Sequence, residues 1–160
     1  MDILHPDNAE ARERIVKLLE RAYWMEMETV MSYTANAINP DGVRADPVRA
    51  SLLADVQEEL GHAQLFGRRI KALYGTVPGT QEFTATQTEL QPPADAIDIV
   101  HVIKGVIAAE RGAIEHYNTI VEATDGIDPV TQDMVITILA DEQGHLRTFE
   151  GFLRDYEQGS

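Results

Sequence analysis

Asp141-Glu142-Gln143-Gly144-His145 and Glu58-Glu59-Leu60-Gly61-His62 share one pattern, 83 residues apart: acid, Glu, any residue, Gly, His. Each runs on to a Phe four residues past its His, Phe149 and Phe66. Positions i and i+3 of an α-helix lie on one face, so Glu59 points the same way as His62, and Glu142 as His145. A single Glu-x-x-His is common on a solvated helix. Two in matched context call for partners, and the chain supplies them. Glu26 lies 33 residues before Glu59, and Glu110 lies 32 before Glu142. Each is followed seven residues later, two helical turns on, by a tyrosine, Tyr33 or Tyr117. The chain reads as an approximate duplication, one helix pair after another.

Two helices that each give Glu-x-x-His, with two more that each give one inward Glu, build a two-metal carboxylate site inside a four-helix bundle. The sequence therefore nominates Glu26, Glu59, His62, Glu110, Glu142 and His145 as metal ligands. Four buried carboxylates left unpaired would cost many kcal/mol, and two divalent cations offset them. Mixed oxygen and imidazole ligation suits iron or manganese, and the ligand set does not separate the two. We read Glu59 and Glu142 as bridges, Glu26 and Glu110 as terminal ligands, and the histidines as one imidazole per metal. Tyr33 and Tyr117 are either outer partners that hydrogen-bond the ligand carboxylates or ordinary core tyrosines. Gly61 and Gly144 each cost about 1 kcal/mol of helix propensity, which crowding at the site or close helix packing explains equally well. His116 and His101 fall off the face of Glu110 and His5 lies in the tail, so none of the three is read as a ligand. Trp24, Met25, Met27 and Met31 read as core or interface. Glu28 and Glu58 read as solvated acids, with transient iron sites as the alternative.

Bulk properties bound the rest. The 160 residues suit a single domain spanning 1–160, and 44% apolar content is ordinary for a globular protein. The chain has no cysteine, which excludes disulfides and cysteine-ligated iron. That fits a reducing, cytoplasmic setting. The N-terminal residues lack the basic and apolar regions of a signal peptide, and no apolar run reaches membrane-span length. The net charge of −14 repels nucleic acid and gathers cations.

Hydrophobic periodicity predicts four helices, at about 8–38, 47–74, 95–123 and 129–155. Asp7 with Glu10 reads as a capping box for the first. Asp46-Pro47 and Asp128-Pro129 read as N-cap and first-turn proline for the second and fourth. Residues 75–94, with Pro78, Gly79, Pro92 and Pro93, have no helical period. They read as a crossover along the bundle between helices 2 and 3, a connection that simple up-and-down bundles do not need. No room remains for a fifth long helix.

On Glu26 with Tyr33, Glu59-Leu60-Gly61-His62, Glu110 and Glu142-Gln143-Gly144-His145, the chain resembles the ferritin-like superfamily over nearly its full length. Within it, the chain resembles the bacterioferritin and rubrerythrin branches. The resemblance implies an all-α, antiparallel four-helix bundle with two iron ions, reacting with dioxygen or hydrogen peroxide as Fe(II) goes to Fe(III). It implies a homo-oligomer, and storage of iron where that oligomer is a cage. The alternative is a small oligomer acting as a di-iron or di-manganese peroxidase or oxidase without storage. The chain also departs from its likenesses. Bacterioferritin has a haem-ligating Met where this chain has Leu60, which argues against haem. It also has a short fifth helix, for which little sequence follows His145. Rubrerythrin has a further Glu where this chain has Ala113, and a cysteine-rich domain. The intrasubunit mini-ferritin group carries a cysteine pair, missing here.

Overall fold

A computed structural model describes residues 2–159. Among them, four long helices carry the architecture: α1 (Ala9–Ile38), α2 (Asp46–Ala72), α3 (Ile99–Thr124) and α4 (Pro129–Gln158). No strand is present among the described residues, and none of these helices is long and apolar enough to cross a membrane. Short turns join α1 to α2 and α3 to α4, so each pair is an antiparallel hairpin.

Side-chain contacts fix how the hairpins meet. Arg69, near the end of α2, reaches Asp128 and Thr131 at the start of α4. At the other end, Arg44 before α2 bonds the backbone of Tyr156 near the end of α4. Helices α2 and α4 are therefore antiparallel. Contacts of Tyr33 with Glu110 and of Tyr117 with Glu26 make α1 and α3 antiparallel as well. It follows that α2 and α3 run parallel, and residues 73–98 must carry the chain back along the whole bundle.

They do so against α1. A Cβ on Gly75 would clash with Val16, Gly67 packs near Val77, and Phe83 stacks on Trp24. Further along, Thr86 and Gln87 donate their backbone N–H groups to Glu28. Leu90 accepts a bond from the Asn36 side chain, and Ala96 accepts one from Asp41 N–H. On the α3 side the fit is tight: a Cβ on Gly105 would lie 2.4 Å from the Glu89 carbonyl. Only glycine permits that approach.

Helix ends differ in part from expectation. Asp7 does not cap α1; residues Pro6–Asn8 form a 3₁₀ turn, and Asn8 precedes the helix without a side-chain cap. Asp46 is the first residue of α2 rather than its cap, since Val43–Ala45 form another 3₁₀ turn leading straight in. Asp128 does cap α4, accepting from Thr131 N–H. Helix α3 starts at Ile99, not 95, because Asp95 turns back onto Ile97 N–H and Asp98 takes the cap, accepting from His101 N–H. Helix α4 continues past 155 to Gln158. Helix α2 stops at Ala72 in a Schellman turn: Gly75 N–H bonds the Ile70 carbonyl and Tyr74 N–H bonds that of Lys71. Tyr74 takes the left-handed position, with φ of 66°. Gly75 follows because a Cβ there would lie 2.8 Å from the Ile70 side chain.

The interior divides into two apolar clusters. One gathers Leu52, Ile103, Val106 and Phe149 toward the α1–α2 turn. The other gathers Ile15, Leu19, Phe66 and Ile138 toward the opposite end. Between them lies a polar layer, and in it are the buried acids and histidines.

Candidate metal centre

The six side chains nominated from the sequence are all buried, and all meet in this layer. Each helix positions its own: Glu26 on α1, Glu59 and His62 on α2, Glu110 on α3, Glu142 and His145 on α4. They form two groups whose ligand atoms lie within 4.8 Å of one another, Glu26–Glu59–His62–Glu142 and Glu59–Glu110–Glu142–His145. Glu59 and Glu142 belong to both groups; Glu26 and Glu110 belong to one each.

The histidines enter by the same atom. Nδ1 of His62 lies 3.3 Å from Glu59 and 3.0 Å from Glu142. Nδ1 of His145 lies 3.2 Å from Glu59. Their outer nitrogens face acids across the hairpin boundary. Nε2 of His62 lies 3.1 Å from Asp141, and Nε2 of His145 lies 2.9 Å from Glu58. Asp55 adds a third acid, 3.7 Å from His145. The leading acid of each five-residue motif thus serves the histidine of the other motif.

The tyrosines are exchanged in the same way. Tyr33, on α1 with Glu26, donates to Glu110 on α3. Tyr117, on α3 with Glu110, donates to Glu26 on α1. Both tyrosines are fully buried. Burial, and the carboxylate each one touches, push both phenols well above their usual range, so they remain donors.

The electrostatics are those of a site built for cations. Burial, reinforced by the neighbouring carboxylates, raises Glu26 and Glu110 well above the usual range. For Glu59 burial acts the same way, but contact with His145 and His62 outweighs it and brings the carboxyl down to about 2. Burial would lower both imidazoles. Instead the contacts of Glu142 and Glu59 lift His62 to about 10, and Glu59 and Glu110 lift His145 to about 11. With no metal cation, protons must carry the compensating charge. Even so, Glu59 Oε1, Glu110 Oε2, Glu142 Oε1 and His145 Nδ1 are buried without an aligned hydrogen-bond partner. Four such atoms in one layer would be costly unless a ligand met them. Oxygen and imidazole donors converging in two overlapping sets fit a pair of first-row divalent metals.

The three histidines set aside in the sequence lie elsewhere. His116 bonds the Leu18 carbonyl, His101 the Gln91 carbonyl, and His5 is exposed beside Asp7. Glu28 corrects its reading as a solvated acid. It is buried, and it accepts from the backbone of Thr86 and Gln87 because the crossover lies over it. Glu58 is largely exposed, yet it is tied to His145. Sequence reasoning missed the contacts of Glu58, Asp141 and Asp55 with the histidines; the shared acid before each Glu was the available signal for Glu58 and Asp141, and Asp55 had none. Trp24 is half-buried between Tyr23 and Phe83, while Met31 is exposed.

The ferritin-like domain family model matches residues 16–158, nearly the whole chain. The chain belongs to the ferritin-like family. The ferritin-like chain is 28% identical over 150 residues to a "DNA protection during starvation protein" of Pyrococcus furiosus, covering 92% of this chain and 80% of that one. Among solved structures it is similar to a dodecameric thioferritin of Bacteroides fragilis, described as bacterioferritin-related. That match has a TM-score of 0.84 and 28% identity, over 92% of this chain and 88% of the other. The bacterioferritin of Desulfovibrio desulfuricans, a protein with a diiron site, superposes with a TM-score of 0.80 at 20% identity. Coverage there is 94% of this chain and 84% of that one.

Proposed function

We propose that this ferritin-like chain binds two Fe(II) ions and oxidises them to Fe(III) with dioxygen or hydrogen peroxide. The observation that carries the reading is the pair of four-ligand groups sharing Glu59 and Glu142. In it, Glu59 and Glu142 bridge, and Glu26 with His62 and Glu110 with His145 complete the two positions. Fe(II) is the substrate. The chain supplies position and negative charge: carboxylates favour the higher charge of Fe(III), so the site lowers the cost of losing an electron from each ion. Tyr33 and Tyr117 orient the terminal carboxylates, and Asp141 and Glu58 orient the imidazoles so that Nδ1 faces the metal.

The dodecameric Bacteroides relative supports a homo-oligomer, and a closed shell would add storage of the ferric product. The net charge of −14 runs against contact with a DNA backbone, whatever the name of the Pyrococcus relative. Two measurements test the reading. Anaerobic titration should load two Fe(II) per chain, and Glu59→Ala should abolish loading at both positions. Loading that is unchanged in Glu59→Ala would refute the site. Light scattering then separates a shell of a dozen or more subunits from a dimer that oxidises without storing.

A further inference from the structure

A cavity of about 200 Å³ lies between α1, α3 and the crossover, and its floor is the metal layer. Glu26, Glu110 and Glu142 reach it from inside, with Tyr33 and Tyr117 beside them. Its side walls are apolar or small: Met25, Ala108, Ala109, Gly112 and Ala113. Gly112, Thr88 and Glu89 are exposed, so the cavity opens to solvent there. A Cβ on Gly112 would meet nothing within 4 Å.

The roof is held firmly. Glu28 accepts from Thr86 N–H at 2.6 Å and Gln87 N–H at 3.1 Å, and Arg21 donates to the Thr86 hydroxyl at 2.9 Å. Those bonds fix Gln87. Its side-chain oxygen accepts from Leu90 N–H at 2.8 Å, which settles the orientation of the amide. Gln87 is among the residues that line the cavity, and its amide nitrogen is buried without a partner. A buried unpaired donor is costly unless a ligand accepts from it.

Size and chemistry together narrow the ligand. One water's share of liquid is about 30 Å³, so the space far exceeds what dioxygen or hydrogen peroxide needs. Drug-sized ligands take about 300 Å³ or more, so the cavity suits something smaller. The ligand must accept one hydrogen bond, place an apolar group against Met25 and the alanines, and present a reactive end to the carboxylates.

We propose that the cavity takes an organic hydroperoxide, ROOH, as oxidant. The inference rests on the Fe(II)-oxidation reading of the adjoining site. The alkyl or aryl group lies against the apolar wall, and Gln87 donates to a peroxide oxygen. The O–O bond breaks and takes one electron from each of two Fe(II) ions. With two protons drawn from solvent, the products are one alcohol, one water and two Fe(III). Gln87 is a positioning residue for the peroxide.

The test mixes anaerobic, Fe(II)-loaded protein with cumene hydroperoxide or hydrogen peroxide. Ferric absorbance and the alcohol product are followed. The wild type should use both oxidants, giving one alcohol per two irons from the organic one. Gly112→Leu, which adds helix propensity while filling the open space, should slow cumene hydroperoxide by about tenfold or more and leave hydrogen peroxide unchanged. Gln87→Leu should raise the peroxide concentration needed by about tenfold without altering Fe(II) loading. Separately, 2-phenyl-2-propanol, an unreactive analogue, should bind the metal-free wild type and not Gly112→Leu in saturation-transfer NMR. A wild type that uses hydrogen peroxide alone, a Gly112→Leu that slows both oxidants equally, or an analogue that fails to bind would each overturn the proposal. Failure to load Fe(II) would instead count against the metal site, and the NMR result would still decide the cavity.

Discussion

Tyr33 donates its hydroxyl hydrogen to Glu110, a residue of the other hairpin, although its own helix carries Glu26. Tyr117 returns the contact to Glu26. Glu110 and Glu26 are therefore each held by the half of the chain that does not supply it. Tyr33→Phe removes one donor from a buried carboxylate and leaves the ring packing intact. We expect metal affinity to fall about 10–100-fold, with the fold retained. A Co(II) titration followed by absorbance checks this. An affinity equal to wild type would reduce both hydroxyls to core packing.

The outer acids form a second exchange. Asp141 faces His62, and Glu58 faces His145. Asp141→Asn and Glu58→Gln each keep size and remove charge. Each should weaken one metal position about 10–100-fold and spare the other, because each touches one imidazole. Native mass spectrometry of partly loaded protein reads this as a population carrying one metal. A wild-type distribution would show that the imidazoles need no outer partner.

Proton release should accompany loading. Metal needs neutral imidazole and ionised carboxylate, whereas His62 and His145 are lifted to about 10 and 11, and Glu26 and Glu110 are raised as well. A pH indicator in weak buffer at pH 7 should record acidification on adding metal, and affinity should rise with pH. The same shifts set the stability of the metal-free protein. The folded histidines have raised values, so their contribution is full below the unfolded value of about 6.5 and is lost as pH rises through 10 to 11. The raised acids act in the same direction. Metal-free protein should lose stability from pH 7 to pH 10, a trend that loading removes. Urea melts across that range would show it, and a flat profile would contradict it.

At the far end of the bundle, Asp128 does three jobs. It receives Arg69 at 2.8 Å, caps α4 through Thr131 N–H, and accepts the Thr131 hydroxyl. Asp128→Ala leaves Arg69 part-buried without its ion partner, and we expect a loss of about 3–5 kcal/mol by urea denaturation. Burial opposes ionisation of Asp128, but Arg69 and Thr131 outweigh it and lower the carboxyl below its usual range. Its contribution is present above the unfolded value of about 4 and is lost as pH falls through the lower folded value. A loss under about 1 kcal/mol would place this contact among ordinary surface pairs.

The helices and the six convergent side chains were legible because both follow from period. Glu26 and Glu110 stand inside apolar stripes, and a carboxylate there has no inexpensive explanation except a cation. What period cannot supply is which face meets which across helices. The seven-residue spacing put Tyr33 beside Glu26 on one helix, but its hydroxyl extends past that face to α3. Glu28 looked solvated because α1 alone leaves it outside the stripe; burial came from the crossover, which has no period to read. The sequence placed the start of the third helix at about Asp95. Its side chain instead closes a turn on Ile97, and Asp98 does the capping.

Each of the two groups that could hold a metal draws three side chains from one hairpin and one from the other. Two separate hairpins would have to find each other in solution before either position existed, and occupancy would then depend on how much protein was present. Residues 73–98 turn that encounter into an intramolecular one, at an effective concentration of the order of millimolar. Dilution of the protein then leaves the two groups of side chains assembled.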